Sequence, residues 1–213
     1  MNLFLDSFPV GLFQCNCSIL GCPQSKEAIV IDPGEEGDAI SKRLKAGGWT
    51  VKALIHTHAH LDHFGATADV KACCGGRSYL NKADQFLWDL HETQSMMLGL
   101  PRASVDPVDE YFQDGQILSF GQHSLEVLFT PGHTPGSTCF RLSSSDRQMI
   151  FSGDTLFRRS VGRTDLPGGD FDELAKSIKT RLYTLDGDSE VIPGHGPATR
   201  IGDERRSNPY VRV

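Results

Sequence analysis

The chain has 213 residues, a formal net charge of −6, 38% hydrophobic and 23% charged residues. That composition fits an ordinary globular chain and excludes fibrous and disordered classes, while the acidic balance argues against a nucleic-acid partner, which needs a basic face. No run of about 18 apolar residues occurs, so neither a transmembrane helix nor a membrane partner is expected, and the N-terminus lacks the basic opening of a signal peptide, so the expected compartment is cytoplasmic.

The chain opens with strand-like runs at residues 3–6, 15–20 and 28–31, the last ending on Asp32-Pro33-Gly34, a turn signal. Residues 38–46 read as a helix, with Ile40 and Leu44 four apart and Gly47-Gly48 as the stop. A short apolar strand at 51–55 delivers the chain into HTHAHLDH at 56–63, and a helix is expected over 62–74. The spacing predicts a second helix over 81–98, capped by Asn81, with Phe86, Leu87, Leu90 and Met97 toward the core and Met96 as gap-filling core. Trp88 is expected in packing, and His91 and His123 at the surface. The six cysteines form no C-x-x-C pair and are read as reduced, small, buried hydrophobes.

Strands return at 116–119, 124–130, 138–142 and 149–152. Asp170 caps a helix with Glu173 three residues on, and Phe171, Leu174, Ile178 and Leu182 form its expected buried stripe. A last strand at 190–192 runs into PGHGP. Strands then helices, followed by strands then helices again, predict an α+β chain: a four-layer αββα sandwich of two mixed sheets with helices on the outer faces. No linker interrupts residues 1–213, which are expected to form a single domain.

Four polar stretches share one context. The histidine cluster, His133 in TPGHTPGS, Asp154 in FSGDTLF and His195 in VIPGHGP each follow the end of a predicted strand, with Gly or Pro shaping the turn. Loops at one edge of a rigid sheet are where sites are built. Imidazole and carboxylate groups without cysteine suit Zn²⁺, Fe²⁺ or Mn²⁺. Six or seven such groups exceed the four of a closed structural zinc site, so two ions with open positions are expected, and a carboxylate between them would lower their mutual repulsion. His56 is the spare: a pattern H-x-H-x-D-H fits only from His58, and His56 is read as a packed histidine at the strand end.

The motif THAHLDH at 57–63, followed in order by His133, Asp154 and His195, resembles that of the metallo-β-lactamase-fold hydrolases. Within them NCSILGCPQSKEAIVIDPG at 16–34 and VGRTDLPGGD at 161–170 are similar to the glyoxalase II group, particularly its short bacterial type. The resemblance implies that His58, His60 and His133 hold one metal, that Asp62, His63 and His195 hold a second, and that Asp154 bridges them. It implies two divalent ions per chain, zinc first, with iron or manganese as alternatives. The implied partner is a small-molecule thioester such as S-lactoylglutathione, cleaved to a 2-hydroxy acid and a free thiol by a hydroxide shared between the ions, with Asp62 also serving catalysis by orienting that nucleophile. The short stretch after His195 leaves no room for the C-terminal helical domain that longer glyoxalase II enzymes use to hold glutathione, so Arg163 is the candidate grip for a substrate carboxylate. Its alternative role is an ion pair with Asp165 that fixes the loop. Competing readings are a persulfide dioxygenase of the same fold using one iron, a lactone or other ester hydrolase and, last, a non-catalytic metal-binding protein. A monomer or small homo-oligomer is expected.

Overall fold

The computed structural model describes residues 3–100, 102–143 and 148–212. Six strands form one sheet in chain order: β1 (Phe4–Val10), β2 (Cys15–Gly21), β3 (Glu27–Ile31), β4 (Thr50–Ile55), β5 (Arg77–Leu80) and β6 (Glu110–Tyr111). β1 to β3 are antiparallel, whereas β3 to β6 are parallel. Parallel neighbours need crossovers. They are α1 (Gly37–Gly47) between β3 and β4, then α2 (Leu61–Phe64) and α3 (Thr67–Cys74), then α4 (Gln85–Asp89) and α5 (His91–Leu98).

The second half contributes β7 (Ile117–Phe120), β8 (His123–Phe129), β9 (Thr138–Ser143), β10 (Gln148–Gly153) and a small hairpin of β11 (Leu156–Phe157) and β12 (Ser160–Val161). After α6 (Phe171–Ser177), which runs into a π-helical turn at Ile178–Leu182, come β13 (Glu190–Pro193), β14 (Thr199–Arg200) and α7 (Ile201–Ser207). The second sheet is ordered β14-β13-β10-β9-β8-β7, with β10 and β13 parallel.

Alternation along the strands explains the layering. Ile29, Ile31, Ala53 and Ile55 face the other sheet and meet Leu125, Val127, Phe140 and Phe151 in the central core. The intervening Val30 and Leu54, with Cys15, Cys17 and Ile19, pack outward against Ile40 and Leu44 of α1 and Val70 of α3. On the far side Leu128, Cys139, Ile150 and Val191 pack against Leu174, Ile178, Leu182 and Ile201. Helices therefore cover both outer faces, and the fold is the expected αββα sandwich. Truncating a fully buried member such as Leu44 to Ala would cost about 2–5 kcal/mol.

Several local expectations are corrected. The helix predicted over 81–98 is three pieces: a 3₁₀ turn at Lys82–Asp84 capped by Asn81, then α4, then α5 after a break at Leu90, whose ψ of 14° leaves the helical range. The break shifts the phase, so Leu87 and Trp88 are buried while Phe86, Leu90, Met96 and Met97 are exposed, Met97 by 77%. Phe171, at the first turn of α6, is also exposed, and the buried stripe begins at Leu174. His123, expected at the surface, is buried beside Phe120, with ring centroids 5.5 Å apart. His91 is half-buried and hydrogen-bonds through Nδ1 to the Trp88 carbonyl. Cys15, Cys17, Cys22 and Cys139 are buried as expected, but Cys73 is exposed and Cys74 half-buried, because they close α3 at its solvent end. Strand β5 carries no apolar run and was not predicted. Among the described residues no helix is long and apolar enough to cross a membrane.

Candidate metal centre

β4, β8, β10 and β13 end at one edge of the two sheets, and the loops that follow them bring seven side chains together. His58 Nε2, His60 Nδ1 and His133 Nε2 form a triangle with sides of 3.1, 3.0 and 3.2 Å. His63 Nε2 lies 3.1 Å from His195 Nε2, and Asp62 Oδ2 lies 3.3 Å from His195 Nε2 and 3.7 Å from His63 Nε2. Asp154 sits between the two groups. Its Oδ2 is 3.7 Å from His133 Nε2, and its Oδ1 is 3.5 Å from His63 Nε2 and 3.7 Å from His195 Nε2. The residues singled out for each ion thus fall into two adjacent sets, with Asp154 turning one oxygen toward each.

The hydrogen bonds on the far side of each ring assign the protons. His133 Nδ1–H donates to the Arg163 carbonyl at 2.7 Å, and His195 Nδ1–H donates to the Phe13 carbonyl at 2.9 Å. His63 Nδ1–H donates to Asp32 Oδ2 at 3.0 Å. The Thr57 hydroxyl donates to Asp32 Oδ2 and therefore accepts from His58 Nδ1–H at 3.0 Å. Each inward Nε2 of these four rings is consequently the position left to meet a cation. Nε2 then faces Nε2 between His58 and His133, and again between His63 and His195, which is repulsive unless a cation lies between. The buried Oδ1 of Asp154 has no hydrogen-bond donor at all. A tetrahedron centred about 2 Å from nitrogen donors has edges of about 3.3 Å, close to the observed triangle. The residues present fit divalent metal.

Electrostatics point the same way. Burial, reinforced by neighbouring histidines, pushes His58 well below the ordinary imidazole value, and burial with His133 takes His60 down to about 3, so these two rings stay neutral. Burial works against ionisation of Asp62, yet His63 and His195 hold it well below the usual carboxylate range. Burial likewise disfavours charge on His63, but Cys15, Asp62, Asp154 and Asp32 outweigh it and draw positive charge to this point.

Asp32 is a residue that sequence reasoning took only for a turn former. It is buried and accepts from Thr57 N–H at 2.8 Å, from the Thr57 hydroxyl at 2.8 Å and from His63. It fixes one histidine of each set, the kind of outer partner that orients metal ligands. Asp84, also unpredicted, ties the motif loop to the His133 loop by accepting from Ala59 N–H, the Thr134 hydroxyl and Gly136 N–H. A third grouping, Cys15, Asp32 and His63, has its carboxylate already engaged and its thiol pushed up to about 12 by burial, so it supports the centre rather than adding an ion. His56 points away from the centre. Its Nδ1–H donates to the Tyr79 carbonyl at 2.7 Å, its Nε2 pairs with the Thr67 hydroxyl at 2.8 Å, and its ring meets Trp88 edge-on. Arg163 forms a bidentate pair with Asp165 at 2.7 Å for both bonds, both side chains being exposed, which realises the loop-fixing alternative; its contribution to the centre is its carbonyl.

The family model described as the Metallo-beta-lactamase superfamily matches residues 10–195. The hydroxyacylglutathione hydrolase GloC of Haemophilus influenzae is 39% identical over 209 residues, 97% of each chain. Among solved structures, the B3 metallo-beta-lactamase BLEG-1 superposes with a TM-score of 0.88 at 34% identity, over 98% of this chain and 99% of that one. TTHA1623, solved in a di-iron-bound form, superposes with a TM-score of 0.83 at 36% identity, over 95% of this chain and 98% of that one.

Proposed function

The chain belongs to the metallo-beta-lactamase superfamily and is a metal-dependent hydrolase; from that premise we propose that it hydrolyses a thioester such as S-lactoylglutathione to a 2-hydroxy acid and a free thiol. The observation that carries this reading is Asp154 reaching toward both histidine sets, so that a water and a carbonyl can be held side by side. The choice of a thioester is supported by the likeness to GloC across nearly all of both chains.

His58, His60 and His133 would hold one ion and Asp62, His63 and His195 the other, with Asp154 shared. Zinc is proposed for both positions, and the di-iron form of TTHA1623 makes iron the first alternative. Bound divalent ions supply a lowered water pKa and polarise the carbonyl under attack. The rest falls to the chain's own groups. Asp62, held anionic, accepts a hydrogen bond from the attacking water at Oδ2 and aims its oxygen at the thioester carbon. Locked tautomers at His58, His63, His133 and His195 keep their donors aimed inward without reorganisation. The water gives up a proton to solvent as the C–O bond forms, the C–S bond breaks, and the thiolate departs past His195, whose side chain is 25% exposed, taking up a solvent proton to become the free thiol. Arg163, paired with Asp165 in the free chain, would exchange that partner for a carboxylate of the substrate. In this reading residues 1–213 act as a single domain and the substrate is a small molecule bound at the rim of the centre.

A second reading, β-lactam hydrolysis, is favoured by the likeness to BLEG-1. The test is a preparation of measured metal content assayed against S-lactoylglutathione, a β-lactam and glutathione persulfide. Thioester hydrolysis well above the other two supports the proposal. Dominant β-lactam turnover selects the second reading, and oxygen uptake on the persulfide with one iron per chain overturns both.

A further inference from the structure

The three members of the Asp62–His63–His195 set are braced by one short stretch of chain, residues 32–36. Asp32 accepts the hydrogen bond from His63 Nδ1–H. Gly34 lies so close to the Asp62 main chain that any side chain there would collide with the Asp62 carbonyl. Pro33 accepts from Ala66 N–H at 3.0 Å, which docks the same stretch onto the end of α2. These contacts account for Asp62 and His63, but they do not reach His195, whose own brace is the Phe13 carbonyl in the β1–β2 loop.

That loop is in turn held by the same stretch. Gly11 N–H donates to Glu36 Oε1 at 3.0 Å and Leu12 N–H donates to Glu35 Oε1 at 3.1 Å. The grip is close. Gly11 has φ of 69°, a left-handed backbone, and a Cβ there would run into the Glu35 carboxylate. Gln14 closes the turn by donating through Nε2 to the Gly11 carbonyl at 2.6 Å. Glu36 itself sits at φ of 57°, a conformation disfavoured for a residue with a side chain. Backbone strain at a residue that clamps a loop across from it is strain the surrounding structure holds in place. No other side chain among the described residues offers an acceptor to the Gly11 and Leu12 amides in this structure.

We propose that Glu35 and Glu36 are positioning residues for the Asp62–His63–His195 site: by clamping the β1–β2 loop they hold the Phe13 carbonyl on His195 Nδ1–H and so keep His195 Nε2 bare and aimed inward. The Glu35/Glu36 clamp does not reach the His58–His60–His133 set, whose supports are Thr57, itself held by Asp32, and the Arg163 carbonyl. The inference rests on the reading of His195 as a metal ligand, and its test separates the two.

Cobalt-loaded protein competed against a chelator gives two dissociation constants, and His195→Ala identifies which belongs to this set. The double variant Glu35→Ala/Glu36→Ala should weaken that constant by about tenfold or more, the usual worth of an outer partner of a ligand, and leave the other unchanged. Glu35→Gln/Glu36→Gln keeps an acceptor oxygen at each position and should restore it. If neither constant moves, or if both weaken together and glutamine does not rescue, the clamp has no positioning role. If His195→Ala still holds both ions with unchanged constants, the ligand reading of His195 fails and the inference fails with it.

Discussion

The two histidine sets do similar electrostatic work with different architecture. His58, His60 and His133 contain no carboxylate of their own, His58 and His60 are pushed toward neutrality by burial, and the set is braced by Thr57 next door and by the Arg163 carbonyl. Asp62, His63 and His195 include a carboxylate, have Asp32 and Asp154 nearby, and depend on a brace from Phe13, 182 positions away in the chain. His58 and His133 are almost fully buried, whereas His195 is a quarter exposed. Charge and closure are thus divided between the sets: one would hold an ion by imidazoles alone in a closed corner, the other with a carboxylate at a door to solvent. The second set should therefore exchange its ion faster, and in the proposed reaction it is where a leaving thiol would have room.

The largest expected break in that comparison comes at the residue both sets share. Asp154→Asn should lower thioester turnover by more than about a hundredfold, beyond the loss typical of an outer partner, and should reduce bound metal below two ions per chain. Metal analysis and steady-state kinetics on the same preparation check it; near-normal turnover would contradict the bridging role. Asp32→Asn should be next. It holds His63 directly and His58 through the Thr57 hydroxyl, so both metal affinities should fall about 10–100-fold, in contrast to the Glu35/Glu36 clamp, which should affect only one.

His56 sharpens the comparison from outside. Burial pulls it down to about 4 from an unfolded value of 6.5, so the unfolded chain binds more protons between those values. Its contribution to stability is present above pH 6.5 and is lost as pH falls toward 4, at most about 3 kcal/mol. Denaturant melts of metal-loaded His56→Asn should show a shallower acid limb than the parent, with bound metal and turnover per folded molecule retained. Loss of an ion in that variant would mean the histidine register is wrong. The smallest effect is expected at Arg163→Ala: a rise in KM of about fivefold, the worth of an exposed charge contact, with metal content unchanged because the carbonyl that braces His133 stays.

The division between what the sequence made legible and what it hid has physical causes. Four donors crowd into 58–63, and His133, Asp154 and His195 each follow a strand with glycine or proline beside them, so their convergence could be read as a pattern. Short apolar runs at 28–31, 51–55, 124–130 and 149–152, in the order strands then helices and strands then helices again, announced the two-sheet layout. The Phe13 carbonyl could not be read, because a main-chain acceptor has no residue signature. Asp32 was hidden by its own context: Asp-Pro-Gly spells a turn, and only the fold shows that the carboxylate is buried behind two histidines. The exposed Met96 and Met97 were misplaced because helical phase was carried across Leu90, where the backbone leaves the helix.

The central claim is that two ions, joined through Asp154, are needed for hydrolysis. The direct measurement is titration of metal-stripped protein with Zn²⁺, following bound metal and S-lactoylglutathione hydrolysis together. The account predicts two ions per chain, with turnover rising mainly as the second equivalent binds. Full turnover at one equivalent, or a chain that never binds the second, would contradict it.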